Sequence, residues 1–161
     1  MLLCILWATT ALAQTPPPPA TFLTDAEVRR AIQSAPEEVA GHSGLYSSKL
    51  SSPTELPVIG IRRTARGKSE LHARFTDVWY VIDGEATLVT GGAIENGTET
   101  APGEIRGVSI KGGNSRCVLT GEFAIIPAGT PHWISQVKGR EILGHRRESA
   151  RPSTDVSRNG G

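Results

Sequence analysis

A chain of 161 residues with 38% hydrophobic content has room for one domain with a real core. Its 17 basic and 16 acidic residues leave a formal charge of +1, and no basic block marks a nucleic-acid or anionic-membrane surface. The 18 glycines and 11 prolines favour short strands joined by turns over long helices.

Met1 to Ala13 is an uncharged apolar run ending in Ala11-Leu12-Ala13, the small-residue pattern of a signal-peptide cleavage site. It is short and lacks a positively charged start, so it reads as a signal peptide over 1–13 whose beginning is truncated. Export to the periplasm or outside the cell is expected, in preference to a cytoplasmic protein with an apolar leader. The run is too short to span a bilayer as a helix. Cleavage would remove Cys4 and leave Cys117 as the one thiol, within Arg116-Cys117-Val118-Leu119, where it reads as a small core residue.

Residues 14–43 form a second segment, a proline-rich linker followed by a short helix. Four consecutive prolines, Pro16 to Pro19, favour a stiff extended chain. Thr24-Asp25-Ala26-Glu27 is a capping-box pattern that opens a helix through Gln33 or Ser34, closed by Pro36 and packed outside the core. His42 falls in a Gly/Ser-rich stretch and reads as exposed.

The pattern then turns to β over a barrel segment, 44–148. Tyr46 to Leu50 reads as an edge strand, and Leu56 to Ile61 as the next. Arg62, Arg63, Arg66 and Lys68 are taken as a solvated strand edge and loop. Glu70 to His72 and Val78 to Ile82 follow, with Asp83-Gly84 reading as a two-residue hairpin turn into Ala86 to Thr90. Beyond a polar excursion from Gly91 to Gly103 lie strands at 104–110, 116–119, 121–126, 132–137 and 141–146. At least eight short, evenly spaced strands predict an all-β antiparallel barrel or double-sheet jelly roll with a short N-terminal helix. The tail, 149–161, has almost no apolar content and is expected to be disordered.

Candidate chemistry concentrates in two stretches. Glu70 and His72 are two apart on a strand and share a face, and Asp77 joins them if the chain folds back near Arg74. His132 opens a strand just after Pro127-Ala128-Gly129-Thr130-Pro131, a turn that fixes where its imidazole starts.

These residues carry a resemblance to the cupin superfamily over about Leu56 to Arg147. Gly121, Pro127, Gly129 and His132 match the second cupin motif, with Gln136 in place of its final Asn. Glu70, His72, Asp77 and Gly84 follow the first motif, although Glu70 replaces its first His, Asp77 its Glu and Thr64 its opening Gly. The resemblance implies a β-barrel with one divalent metal inside, held here by Glu70, His72, Asp77 and His132. Two imidazoles and two carboxylates suit Mn, Fe, Ni or Zn better than Ca or Mg. The competing reading pairs Glu70 and Asp77 with arginines such as Arg74 or Arg116 and needs no metal.

The implied activity is that of a metalloenzyme acting on a small polar organic substrate, of oxygenase, isomerase or lyase type, with Glu70 as the catalytic proton carrier. The alternative is a non-catalytic module that binds a small ligand or a metal. Trp79, Arg106, Arg116 and His145 are further candidates for substrate contact. A small-molecule ligand and a homodimer are the partners expected, with no nucleic acid and no membrane.

Overall fold

A computed structural model describes residues 19–38, 44–51 and 57–150, with the backbone alone over 139–150. The predicted signal peptide, most of the proline run, His42 and the tail beyond Ala150 lie outside these residues.

The predicted helix is α1 (Asp25–Gln33), and both halves of its capping box form: Thr24 Oγ1 accepts from Glu27 N–H at 3.3 Å, and Glu27 Oε2 accepts from Thr24 N–H at 2.7 Å. The helix is followed by eleven strands among the described residues: β1 (Leu45–Lys49), β2 (Val58–Arg63), β3 (Ser69–His72), β4 (Phe75–Thr90), β5 (Ala93–Glu95), β6 (Thr98–Ala101), β7 (Glu104–Gly107), β8 (Ser109–Lys111), β9 (Asn114–Leu119), β10 (Phe123–Ile126) and β11 (His132–Ala150). All their pairings are antiparallel.

Two long strands, β4 and β11, organise the rest. They pair with each other along most of their length, and each changes its outer partner midway. The first half of β4 pairs with β10 and the second half with β9, while the late part of β11 pairs with β2 and its first residue with β3. One sheet is therefore ordered β1-β2-β11-β4-β10 and the other β6-β7-β3-β11-β4-β9. Val81, Ala86, Leu88, Val118, Ile126 and Ile134 come from both sheets and pack into one buried cluster, so the two sheets face each other.

Asp83-Gly84 is not the hairpin turn that the sequence suggests. Gly84 takes a φ of 90° inside the continuous strand β4, and Asp83 Oδ1 accepts its N–H at 2.9 Å. Opposite it, the register of β11 shifts between Lys138 and Leu143. The left-handed glycine serves a bend at which β4 passes from one sheet to the other. The expected separate strands at 132–137 and 141–146 are likewise one strand, β11. The expected strand at 104–110 breaks instead, because Val108 N–H turns to Glu95 O at 3.0 Å and β8 pairs with β5 in a separate ribbon.

Two burial assignments change. Arg63 is only 7% exposed rather than solvated, because it turns inward across Gly67, where any Cβ would occupy the space of its guanidinium. Cys117 is exposed, since Val118 takes the inward place on β9 and the alternation turns Cys117 out. Its thiol donates to Glu85 Oε1 at 2.9 Å, and that carboxylate pushes the thiol above its usual range, making it a poor nucleophile at neutral pH.

Helix α1 lies on the outer face of the barrel. Ile32 is fully buried with Ile82, against which Val28 and Tyr80 also pack. Gly60 of β2 makes the seat: a Cβ there would meet Ile32 Cγ1 at 2.5 Å. Replacing Ile32 by alanine should cost about 2–5 kcal/mol, since burial is complete and the rigid sheet cannot close the hole. Urea unfolding followed by far-UV circular dichroism measures this, and a loss of only a few tenths would show that α1 adds little to the domain.

Candidate metal centre

Between the two sheets, four side chains converge. Glu70 and His72 project from β3 on one face, as their spacing predicts, and Glu70 lies directly opposite His132 of β11 in the antiparallel register. Asp77 enters from the other sheet, after a two-residue turn that separates β3 from β4. The turn before His132 is tied to the same place: Gly129, at a φ of 79°, donates its N–H to the carbonyl of His72 at 2.8 Å. That one bond fixes the second histidine-bearing segment against the first.

All four are buried, with exposures of 8% for Glu70, 3% for His72, 1% for Asp77 and 2% for His132. His72 Nε2 is 3.5 Å from Glu70 Oε2 and 3.6 Å from Asp77 Oδ2, and His132 Nε2 is 3.2 Å from Asp77 Oδ2 and 4.0 Å from Glu70 Oε2. Ligand atoms bound about 2.0–2.2 Å from one ion sit about 3–3.5 Å apart, close to the His72–Glu70, His72–Asp77 and His132–Asp77 separations. One ligand atom each from Glu70, His72 and His132 lie within 4.8 Å of one another, and this buried group can hold a metal ion.

The hydrogen bonds on the far sides of the rings favour the same use. His72 Nδ1 meets Glu104 Oε2 at 2.5 Å, and His132 Nδ1 meets the carbonyl of Thr130 at 3.1 Å. A carbonyl and a carboxylate can only accept here, so each Nδ1 is the donor and each Nε2 of a neutral ring presents a lone pair to the cluster. His132 Nε2 is buried and makes no hydrogen bond among the described residues, despite the carboxylate 3.2 Å away. A buried nitrogen so placed can coordinate an ion.

No protein-family model and no curated protein sequence matches this chain. Solved structures do. A protein of Thermus thermophilus is similar over 81% of this chain and 98% of its own, with a TM-score of 0.53 and 14% identity. An uncharacterised conserved protein of Klebsiella pneumoniae with a double-stranded β-helix domain is similar over 76% of this chain and 86% of its own, at 0.52 and 16%. This chain has the cupin fold, the double-stranded β-helix. Oxalate oxidase, also solved in complex with glycolate, shares that fold over 74% of this chain at 0.50 and 17%; the match spans 57% of the oxidase.

Within the cupin barrel the other candidates divide. Trp79 is brought to the cluster: its ring stands edge-on to His132 with centroids 5.6 Å apart. Arg106 lies opposite Glu70 in the β3–β7 register, its Nη2 3.7 Å from Glu70 Oε2. Arg116 is not brought there; its side chain is 69% exposed on β9 and binds Glu122 at 2.8 Å. Arg74 also stays outside, donating to Pro102 O at 3.2 Å. The arginines that do reach Glu70 are Arg106 and Arg63, the latter at 3.6 Å. His145 falls in the part of β11 whose side chains lie outside the described residues.

Sequence reasoning passed over two site residues, Glu104 and Arg63. Glu104 stands opposite His72 on β7, as Arg106 stands opposite Glu70. The alternation Glu104-x-Arg106 is visible in the sequence, yet only the β3–β7 register gives it meaning.

Proposed function

We propose that this cupin binds one divalent transition-metal ion through Glu70, His72, Asp77 and His132, and that it is a metalloenzyme acting on a small polar organic molecule. The observation that carries the reading is the orientation of the two imidazoles. Both Nδ1 atoms are committed outward to acceptors, and both Nε2 atoms face two buried carboxylates. The mixed N/O donor set favours Mn, Fe, Ni or Zn. Such an ion, when bound, polarises a substrate oxygen.

The chain's own residues supply the rest. Glu70 borders both the cluster and an adjoining cavity, and in this reading its carboxylate takes or returns a proton at a molecule held there. Trp79 walls the space beside His132.

Protein purified without a histidine tag should hold about one ion per chain by elemental analysis. Failure to take up Mn, Fe, Ni or Zn would remove the proposal. Iron dependence together with O₂ consumption would select oxygen chemistry, and turnover without O₂ would select isomerisation or elimination.

A further inference from the structure

We infer that the cavity beside the cluster is a binding site for a small organic carboxylate. The inference rests on the metal reading, which commits the Glu70 charge to an ion. The cavity holds about 200 Å³, below the roughly 300–1,000 Å³ of sites for drug-sized ligands. Leu45, Ile59 and Ile61 give it an apolar wall, and Arg63, Arg106 and Trp79 line it together with Glu70, Glu38 and Ser47. Guanidinium and indole groups can only donate hydrogen bonds, so Arg106 and Trp79 suit an acceptor in the cavity.

Two of the donors have capacity to spare. Trp79 Nε1 is buried and makes no hydrogen bond among the described residues. Arg106 uses its terminal nitrogens alone, at 3.5 Å to Glu104 Oε2, 3.2 Å to its neighbour's carbonyl Ile105 O and 3.7 Å to Glu70 Oε2, and its Nε has no hydrogen bond among the described residues. A carboxylate, with two oxygens and no donor, matches a guanidinium bidentately. The other acid on the wall, Glu38, is exposed and already accepts from Ser47 Oγ at 2.6 Å. A polar acceptor head beside Arg106 and an apolar body against Ile59 and Ile61 describe a short-chain organic acid better than a sugar or an amine.

Calorimetric titration of the metal-loaded protein with butyrate, butyramide and inorganic phosphate tests this, with ion content measured on the same samples. Butyrate should bind at least about tenfold more tightly than butyramide, the size expected for a charge-assisted hydrogen bond. Arg106→Gln should weaken butyrate by about tenfold or more with ion content unchanged, and Arg106→Lys should weaken it less. Equal binding of acid and amide, no effect of Arg106→Gln, or tighter binding of phosphate overturns the assignment. A protein that holds its ion and ignores butyrate sinks this inference alone, whereas one that takes up no ion sinks the metal reading and this with it.

Discussion

Replacing His132 by alanine should reduce bound metal from about one ion per chain to below about a tenth, while the far-UV circular dichroism spectrum stays that of the barrel. The ring is 2% exposed, and its Nε2 stands 3.2 Å from Asp77 and 4.0 Å from Glu70. Its loss takes away one of two nitrogen donors and opens the cluster toward Trp79. An ion held at a thousandfold its Kd stabilises the folded state by about 4 kcal/mol, on the order of 10 °C in Tm for a chain of this size. That increment should appear when the wild-type apoprotein is loaded and should be absent from the variant.

A second outcome discriminates against the metal-free reading. If both imidazoles were protonated counterions of Glu70 and Asp77, His132→Ala would leave a buried carboxylate uncompensated and cost about 3–5 kcal/mol. A chelator would then leave wild-type Tm unchanged. Chelation that lowers wild-type Tm to the level of the variant therefore supports the ion, and a variant that keeps a full complement of metal excludes His132 as a ligand.

Much of this site was legible in the chain because its parts are local. Glu70 and His72 share a face by strand alternation, and the Pro127 to Pro131 turn fixes the start of β11 whatever surrounds it. The capping box at Thr24 was readable for the same reason. What escaped depends on pairing across distance. Asp83-Gly84 carries a strong local hairpin signal, and tertiary pairing overrode it: β11 runs alongside both halves of β4 and keeps the strand whole. Arg63 looked like part of a solvated basic group because nothing in its neighbourhood shows that Gly67 leaves room for a guanidinium to lie over it toward Glu70. Arg116 looked as eligible as Arg106. The two part only through register, which sets Arg106 opposite Glu70 and leaves Arg116 beside Glu122 on the surface.

Glu104→Gln should weaken metal binding by about 10–100-fold without abolishing it, the range usual for a carboxylate that hydrogen-bonds a metal-ligating imidazole. Glu104 accepts from His72 Nδ1 at 2.5 Å, holding the ring so that Nε2 faces Asp77 and Glu70. Glutamine keeps the length and an accepting oxygen but loses the charge, so the ring is held less firmly and its Nε2 donates less electron density. The comparison that isolates this role is Arg106→Gln, because Arg106 touches the same carboxylate at 3.5 Å. If Glu104 acted only by organising the β3–β7 pair, the two variants would change metal affinity alike. An orienting role predicts that Glu104→Gln loses affinity in a competition titration against a chelator while Arg106→Gln keeps it. The cluster would then extend one residue beyond the four that converge between the sheets, to a carboxylate that never touches the ion.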